Sequence, residues 1–439
     1  MSEQVNTVSI PQSPRALKVI NVALFVGILT LGGIASIAMK KETVSVMENR
    51  KLAEFPKYSD STLWNGKYFR AIEGFYADNF PFRDQFMKVS DRFRNSLGFQ
   101  TSEIKMYDEK NDAEANEKTD TLKKEGVKDG PLPDDGATGE VKKKVFVFKN
   151  RAFEMFGGGA AMGKSYADVI NSYNRLGIPG LQVYNLIIPV ALEFEITEKY
   201  KNMQKPNRPA IENIYNNEDS NIKKVWAIDE IRQHRAEYIY FNTDHHWTSL
   251  GAYYAYRAFC KTAGLTPVSL DTVASKVKPA FLGSLYRLTR DPGLATNPDS
   301  VRYYLFRDSV AAYVGSATLG SWVKSKMYGE GASGANSYSV FLQGDLPIMK
   351  LETQHKNGRR IAVVKESYGN AFTCFLINNY EKVIVVDQRY YTGDFIAVLK
   401  AEGINELLFI NNIFAAHTPF HIEKIKGLMT KGGNKAVHP

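Results

Sequence analysis

The most regular part of this chain is residues 360–412, which read RIAVVKESYGNAFTCFLINNYEKVIVVDQRYYTGDFIAVLKAEGINELLFINN. Three short apolar runs within it have the length and the β-branched content of buried strands: residues 361–364, 382–386 and 406–410. Two segments of helical pattern separate them, residues 370–379 and 395–401. Strands that alternate with helices are typical of βαβ units, so we predict an α/β fold built on a parallel sheet.

A polar side chain follows each of the three predicted strands. These side chains are Ser367, Arg389 and Asn412. The carboxyl ends of parallel strands lie at one edge of a sheet, and ligands of such sheets bind there. We therefore predict that the three side chains line one site.

A second loop with polar chemistry reads TDHHWT at residues 243–248 and follows a strand-like run at residues 237–241. Asp244 can hold one imidazole nitrogen of His246 while the other nitrogen faces a nucleophile. Ser367 supplies a hydroxyl for that purpose. The two loops together predict a serine-dependent acyl-transfer enzyme.

The composition is that of a globular protein, with 439 residues of which 23% are charged. The basic residues behind the net charge of +9 are scattered, which favours a role in solubility over the binding of an anionic partner such as a polymer or a membrane surface, and we expect no nucleic-acid partner. Cys260 and Cys374 lie in apolar helical patterns, so we predict buried free thiols. No CxxC pair occurs, which excludes a zinc site built of thiolates.

Residues 19–39 form a mostly apolar run without a charged side chain. A run of this length spans a bilayer, and we predict an uncleaved transmembrane anchor, with a cleaved signal peptide as the alternative. Residues 1–18 would then be a cytoplasmic tail. Residues 40–439 would form an extracytoplasmic domain, because exporting the domain is the usual reason for a single N-terminal span.

The composition changes at residues 108–144, which contain no aromatic residue and are rich in Lys, Glu, Asp and Asn. Such a segment cannot bury enough apolar surface to offset the entropy lost on ordering. We therefore predict a disordered insertion in a surface loop of the domain.

Four sequence signatures, in this order, resemble those of the bacterial DHHW family, which is similar to the alginate O-acetylation proteins of the SGNH-hydrolase-like class. They are ENRKLA at residues 48–53, DNFPFRD at 78–84, DHHW at 244–247 and KESYGNAF at 365–372. The resemblance extends over nearly all of the chain outside the apolar run and the predicted insertion.

The resemblance implies a three-layer α/β/α SGNH-like domain with a catalytic triad. In that triad Ser367 is the nucleophile, His246 the base and Asp244 the residue that orients it. The chain order of aspartate, histidine and serine is the reverse of ordinary SGNH esterases, so a circularly permuted fold is implied. Glu366 precedes the serine where an aspartate is more usual.

Ordinary SGNH enzymes also hold the oxyanion with an asparagine side chain. Asn412 resembles that asparagine by its place after a strand, and Asn411 is nearly as good a candidate. Together with Arg389 and Trp247, Asn412 is a candidate for oxyanion or substrate binding.

The function implied is an extracytoplasmic O-acetyltransferase, bound to the bacterial cell membrane, that modifies an exopolysaccharide or cell-envelope polysaccharide through an acetyl-serine intermediate. A multi-pass membrane O-acyltransferase would supply the acetyl groups, so no cofactor is expected. The same triad with water as acceptor would make a carbohydrate acetylesterase. The same fold without turnover would make a polysaccharide-binding scaffold.

A metal hydrolase is a further alternative. Asp244 and the adjacent histidines could join His417 and His421, which have a spacing that fits one helical face. Pro419 between those two histidines and the lack of an obvious third carboxylate argue against it, and we expect no metal. The alternative for His417 and His421 is a solvated C-terminal segment.

Overall fold

The structure is a computed structural model of the chain. The residues that it describes are 15–38, 44–45, 50–51, 53–58, 63, 66–83, 85–86, 89, 104–108, 144–195, 202–306 and 309–429. The predicted insertion lies outside the described residues except for Asp108 and Lys144 at its two ends. The chain divides into two compact units, residues 1–99 and 100–439.

In the described part of the first unit, the elements with complete bounds are two helices and a short antiparallel pair of strands. They are α1 (Arg15–Ala38), α2 (Lys67–Asp78), β1 (Val44–Ser45) and β2 (Arg50–Lys51). The main-chain N–H of Ala53 donates to Asp78 Oδ2 at 2.8 Å, and Asn79 Nδ2 donates to the carbonyl oxygen of Ala53 at 3.0 Å. Two of the four sequence signatures therefore contact each other.

The apolar run at residues 19–39 lies mostly in α1, a helix of 24 residues. Among the residues that the structure describes, no helix is both long enough and apolar enough to cross a membrane. The prediction of a transmembrane anchor is therefore not supported by the structure.

The second unit holds the remaining elements. Its helices are α3 (Ala160–Asn174), α4 (Leu192–Glu195), α5 (Asn207–Asn216), α6 (Ala227–Gln233), α7 (Ser249–Ala263), α8 (Ser284–Thr289), α9 (Pro292–Ala295), α10 (Gly369–Leu376), α11 (Phe395–Ala401) and α12 (Pro419–Gly427). Its strands are β3 (Ile104–Asp108), β4 (Lys144–Phe148), β5 (Arg151–Glu154), β6 (Gln182–Ile188), β7 (Lys223–Val225), β8 (Ala274–Phe281), β9 (Asp299–Leu305), β10 (Ala311–Gly315), β11 (Val323–Ser325), β12 (Ile348–Glu352), β13 (Arg360–Lys365), β14 (Lys382–Asp387) and β15 (Glu406–Asn412). The 3-10 segments with complete bounds among the described residues are Leu270–Thr272, Gly334–Gln343 and Ala415–His417.

The centre of the second unit is an eight-stranded sheet in the order β11-β10-β12-β14-β13-β15-β6-β7. Strands β14, β13, β15, β6 and β7 pair in parallel, as the βαβ pattern predicts. Successive residues of a strand point to opposite faces, and residues 361–364 of β13 are all fully buried. Both faces of the central strands are therefore covered.

The predicted parallel sheet is confirmed only in part, because three more strands extend it in antiparallel fashion: β12 pairs with β14, β10 with β12 and β11 with β10. Parallel pairing needs a long crossover, usually a helix, between strands. No α-helix lies between β10 and β12 in the part of the chain that the structure describes; a short strand and a 3-10 segment connect them. The observed fold is a mixed α/β fold with a large mixed sheet.

Two smaller sheets accompany it. Strands β3, β4 and β5 form an antiparallel three-stranded sheet, and β8 pairs with β9 in an antiparallel two-stranded sheet. The two-stranded sheet matters for the site because Phe281 and Asp299, which are paired in its register, both bond Thr243 in the DHHW loop (residues 243–248).

Candidate active site

Ser367 lies in the turn between β13 and α10, at the carboxyl edge of the large sheet. Two main-chain hydrogen bonds close the turn: the N–H of Gly369 donates to the carbonyl of Glu366 at 2.9 Å, and that of Asn370 to the carbonyl of Ser367 at 3.1 Å. A Cβ at Gly369 would lie 2.5 Å from the Cβ of Lys365, so the turn needs glycine there. The sequence therefore folds locally to present the serine at the end of the strand.

The loop that carries Asp244 and His246 does not follow a strand of the large sheet, and this corrects the prediction of a strand at residues 237–241. Tyr240 forms only an isolated bridge with Trp247. The apolar run is instead held by the returning chain, since Thr248 donates its N–H to the carbonyl of Ile239 at 2.9 Å. The apolar side chains that suggested a strand, Ile239, Tyr240 and Phe241, are buried because the surrounding core packs against them.

Asp299, at the start of β9, holds this loop in place through hydrogen bonds to its carboxylate. Its carboxylate accepts the main-chain N–H of Asn242 at 2.8 Å and that of Thr243 at 2.7 Å, and also the hydroxyl of Thr243. The residue is 2% exposed. Sequence reasoning missed Asp299 because nothing local distinguishes it from other strand-edge aspartates.

The structure brings the three predicted triad residues together in one hydrogen-bonded chain. His246 Nε2 lies 2.7 Å from Ser367 Oγ, and His246 Nδ1 lies 2.5 Å from Asp244 Oδ1. All three side chains are buried, with the serine the most exposed at 9%. The arrangement can take a proton from the serine hydroxyl and stabilise the imidazolium that results.

The surroundings of Asp244 favour its charged form. Its Oδ1 also accepts the main-chain N–H of His246, and its Oδ2 accepts that of Ser284 at 2.7 Å. Burial alone raises the pKa of the Asp244 carboxyl, but the imidazoles of His246 and His245 and these hydrogen bonds outweigh burial and bring the pKa well below its usual value. A Cβ at Gly283 would lie 2.2 Å from the Asp244 Cβ, so only glycine allows this approach.

Tyr338 covers one face of the histidine. Its ring stacks on that of His246 with centroids 4.0 Å apart and planes 11° from parallel, and its hydroxyl donates to the carbonyl of Ser367 at 3.1 Å. Tyr338 thus contacts both His246 and the main chain of Ser367. No local pattern pointed to Tyr338, because it lies in a 3-10 segment outside both loops.

Glu366 lies directly beside the serine and is fully engaged. Its Oε2 accepts the main-chain N–H of Tyr368 at 3.0 Å and lies 3.3 Å from Ser367 Oγ, while its Oε1 accepts the N–H of Asn412 at 3.0 Å. Burial raises the pKa of the Glu366 carboxyl, and the guanidinium of Arg389 partly opposes this. The glutamate therefore links the ends of β13 and β15.

Arg389 lies at the end of β14 as predicted, but carboxylates occupy most of its guanidinium. It bonds Asp387 through Nε at 2.9 Å and Nη2 at 2.7 Å, and Nη2 also lies 2.9 Å from Asp345. Asp387 in turn accepts from Lys365 Nζ at 2.7 Å. The arginine therefore anchors the strand ends behind Glu366, and it is left with limited capacity to bind a substrate.

The two asparagines at the end of β15 have different roles. Asn411 is fully buried, donates to the hydroxyl of Tyr166 and accepts from Gln388, so both ends of its amide are used. Asn412 accepts the N–H of Ala415 at 2.8 Å through Oδ1, and its Nδ2 has no partner among the described residues. Of the two, Asn412 is the one that retains a free donor.

Trp247 does not face a substrate. Its side chain is completely buried, and its indole N–H donates to the carbonyl of Tyr368 at 3.0 Å. The prediction of Trp247 as a binding residue is therefore corrected, since the indole connects the two loops instead. His245 points away from the serine as well, with Nδ1 2.5 Å from Ser284 Oγ.

Asp244, His245 and His246 are the metal-capable cluster found among the described residues, with ligand atoms within 4.8 Å of one another. Protein groups already bond both oxygens of Asp244, both ring nitrogens of His246 and Nδ1 of His245. His417 and His421 do not join them, and His417 is not solvated as the alternative interpretation held: it is 3% exposed, with Nδ1 bonded to the carbonyl of Ile413 at 2.8 Å. Cys260 and Cys374 are buried free thiols, as predicted.

The fold and this site define the chain as a mixed α/β protein with a serine, a histidine and an aspartate hydrogen-bonded at the edge of its sheet. The chain belongs to the DHHW family. The model of that family, described as DHHW protein, matches residues 48–128 and 132–386. The family predicted from the four signatures is thereby confirmed.

One of the similar solved structures is described as a member of the same family. A DHHW family protein from Eubacterium siraeum shares 30% identity with a TM-score of 0.61, over 66% of this chain and 96% of that one. PatB1 of Bacillus cereus shares 18% identity with a TM-score of 0.52, over 63% and 98%, which shows a common fold. The O-acetyltransferase domain of Pseudomonas putida AlgJ matches at 12% identity, over 63% and 96%, with a TM-score of only 0.36. No curated protein matches.

Proposed function

We propose that this protein is a serine-dependent O-acetyltransferase that acts on a polysaccharide outside the cytoplasm. The hydrogen-bonded chain from Ser367 through His246 to Asp244 carries the proposal, because this arrangement activates a serine hydroxyl as a nucleophile. We infer the transferred group, acetyl, and the acceptor, a polysaccharide, from the resemblance of DHHW proteins to alginate O-acetylation proteins. The domain would be SGNH-like, three-layered and circularly permuted.

In the first half-reaction, Ser367 Oγ attacks the carbonyl carbon of an acetyl donor while its proton passes to His246 Nε2. The negative charge that develops on the carbonyl oxygen would be met by the main-chain N–H of Ser367 and the free Nδ2 of Asn412. The bond to the donor's leaving oxygen then breaks, and that oxygen takes the proton from His246. The product is acetyl-Ser367.

In the second half-reaction, a sugar hydroxyl gives its proton to His246 as its oxygen attacks the acetyl-serine carbonyl. The ester bond to Ser367 Oγ breaks, and Oγ recovers the proton from the imidazolium. Asp244 stays ionised throughout, consistent with its lowered pKa, and stabilises the imidazolium in both steps.

The acetyl donor outside the cytoplasm would be delivered by a multi-pass membrane O-acyltransferase, because a cytoplasmic acetyl donor cannot cross a bilayer unaided. Protease treatment of intact cells that express the tagged full-length chain tests the location. We expect the second unit to be cleaved by external protease. A protected domain would remove the envelope polysaccharide and leave an intracellular esterase.

The activity is tested with full-length protein, an acetylated chromogenic ester and a panel of oligosaccharides, with Ser367→Ala as the matched control. Acetyl gain on a sugar in the wild type alone would support the transferase. Ester loss without acetyl gain would identify an esterase. No reaction with any ester or sugar would leave a polysaccharide-binding scaffold.

A further inference from the structure

We infer that Glu366 is a positioning residue of the acyl-transfer site: its carboxylate fixes the main-chain N–H groups of Tyr368 and Asn412 and presents a negative charge to His246. The inference rests on the proposed function, because it assigns Glu366 a part in that same reaction. Glu366 would act through these neighbours and would itself exchange no proton with the substrate.

The first part of the evidence is the reach of the side chain. One carboxylate accepts an N–H from each of two strand ends, Tyr368 just after β13 and Asn412 at the end of β15, both at 3.0 Å. Asn412 is the residue whose free amide would hold the oxyanion. Glu366 therefore sets the separation between the nucleophile and that amide, and an aspartate, one methylene shorter, would not span both groups.

The second part is the competition for the serine proton. The hydroxyl of Ser367 has a single hydrogen and two acceptors nearby, His246 Nε2 at 2.7 Å and Glu366 Oε2 at 3.3 Å. The shorter contact is the better hydrogen bond. The hydroxyl therefore donates to His246, while Glu366 Oε2 is occupied by the N–H of Tyr368.

The third part is charge. Arg389 at the end of β14 and His246 in the DHHW loop both interact favourably with the charged form of Glu366, against the cost of burial. Burial above all, and the charge of Glu366 to a lesser degree, raise the pKa of three phenols: Tyr166, Tyr338 and Tyr368. A fixed negative charge near His246 favours the imidazolium that forms when the serine loses its proton.

Two substitutions separate position from charge. Glu366→Gln keeps the length of the side chain but removes the charge, and its NH₂ cannot accept, so one main-chain N–H loses its partner. Glu366→Asp keeps the charge but shortens the reach. Glu406→Gln is the matched control: Glu406 is a buried carboxylate at the other end of the same strand, β15, and bonds Arg359 at 2.8 Å.

The probe is phenylmethanesulfonyl fluoride on the full-length protein. Its reaction forms a bond from Ser367 Oγ to sulfur, breaks the S–F bond with loss of fluoride, and transfers the serine proton to His246. We expect both Glu366 variants to react slower by on the order of 10²-fold, since small misplacements of reacting groups cost about that much. Glu406→Gln should react like the wild type while melting at a lower temperature.

The pH profile distinguishes this role from a merely structural one. Without the negative charge of Glu366, the imidazolium of His246 is less stable, so its neutral, basic form persists to lower pH. The acid limb of the sulfonylation rate should therefore move to lower pH in Glu366→Gln, and much less in Glu366→Asp and Glu406→Gln.

Wild-type rates and an unmoved acid limb in both Glu366 variants would overturn the inference. Loss of the cooperative melt in both variants would overturn it too, because the residue would then serve the fold alone. If Ser367→Ala reacts as fast as the wild type, the proposed function itself fails. If Ser367→Ala is inert and the Glu366 variants are unaffected, only the role of Glu366 fails.

Discussion

Trp247 donates its indole N–H to the carbonyl oxygen of Tyr368 across 3.0 Å. Each of these residues directly follows a member of the triad, His246 and Ser367 respectively. The hydroxyl of Tyr368 returns a hydrogen bond to the carbonyl of His245. Two loops that are 121 residues apart in sequence are therefore fixed to each other by reciprocal hydrogen bonds next to the contact between His246 and Ser367.

Trp247→Phe should lower both stability and activity, because it keeps an aromatic ring but leaves the buried carbonyl of Tyr368 without its donor. We expect a loss of about 1–3 kcal/mol in the free energy of unfolding. Chemical denaturation measures it. Trp226→Phe is the control, since Trp226 is 36% exposed. Equal losses in the two variants would show that the indole bond contributes nothing.

The adjacent histidines should differ sharply in activity. His246→Ala should reduce ester turnover by on the order of 10⁴-fold or more, because the serine loses its base. His245→Ala should cost far less, since its Nδ1 contacts Ser284 and not Ser367. Steady-state ester hydrolysis by the full-length variants checks this. Comparable losses at both positions, or inactivation by a chelator, would point back to a metal site.

Asp299→Asn should loosen the DHHW loop. The amide would turn an NH₂ toward one of the donors that now bond the carboxylate, the N–H groups of Asn242 and Thr243. We expect about 1–3 kcal/mol of lost stability, as for other buried groups left unsatisfied. Asp271→Asn, at an exposed aspartate, should have little effect on the denaturation midpoint. A variant as stable and active as the wild type would contradict the support assigned to Asp299.

The charge of Asp387 should stabilise the fold near neutral pH and should stop doing so in strong acid. Burial raises the pKa of the Asp387 carboxyl, but Lys365 and Arg389 outweigh it and bring the pKa to about 2. Because the folded pKa lies below the unfolded value of about 3.9, the stabilisation is present above that value and is lost as pH falls toward about 2.

The melting temperatures of wild type and Asp387→Asn should therefore differ near neutral pH and converge between about pH 4 and pH 2. Thermal unfolding followed by circular dichroism across that range is the measurement. A difference that stays constant with pH would show that the charge of Asp387 is not what stabilises the fold.

Local pattern was enough to predict the elements that carry the serine. The run at residues 361–364 lies in β13, the predicted helix at 395–401 has the observed bounds, and Ser367 lies past a strand end. These features depend on periodicity and strand-to-helix alternation, which short segments of sequence carry. The meeting of Ser367 with His246 followed from the family resemblance and from complementary chemistry.

Features set by contacts between distant segments could not be predicted. The antiparallel addition of β12 to β14, the burial of Trp247 and the support from Asp299 depend on which segments pack together. The positioning role inferred for Glu366 could not be predicted for the same reason, since its hydrogen-bond partner Asn412 lies 46 residues away in sequence. Neighbouring sequence does not encode these pairings in a form that propensity or spacing can show.

Trapping the acyl-enzyme tests the proposed chemistry most directly. Full-length protein is mixed with an acetyl ester, quenched in acid within the first turnover, digested and analysed by mass spectrometry. We expect one acetyl group on Ser367 in the wild type, none in Ser367→Ala, and its loss from the wild type when an acceptor oligosaccharide is added. An acetyl group on another residue, with Ser367 unmodified and activity retained in Ser367→Ala, would contradict the mechanism.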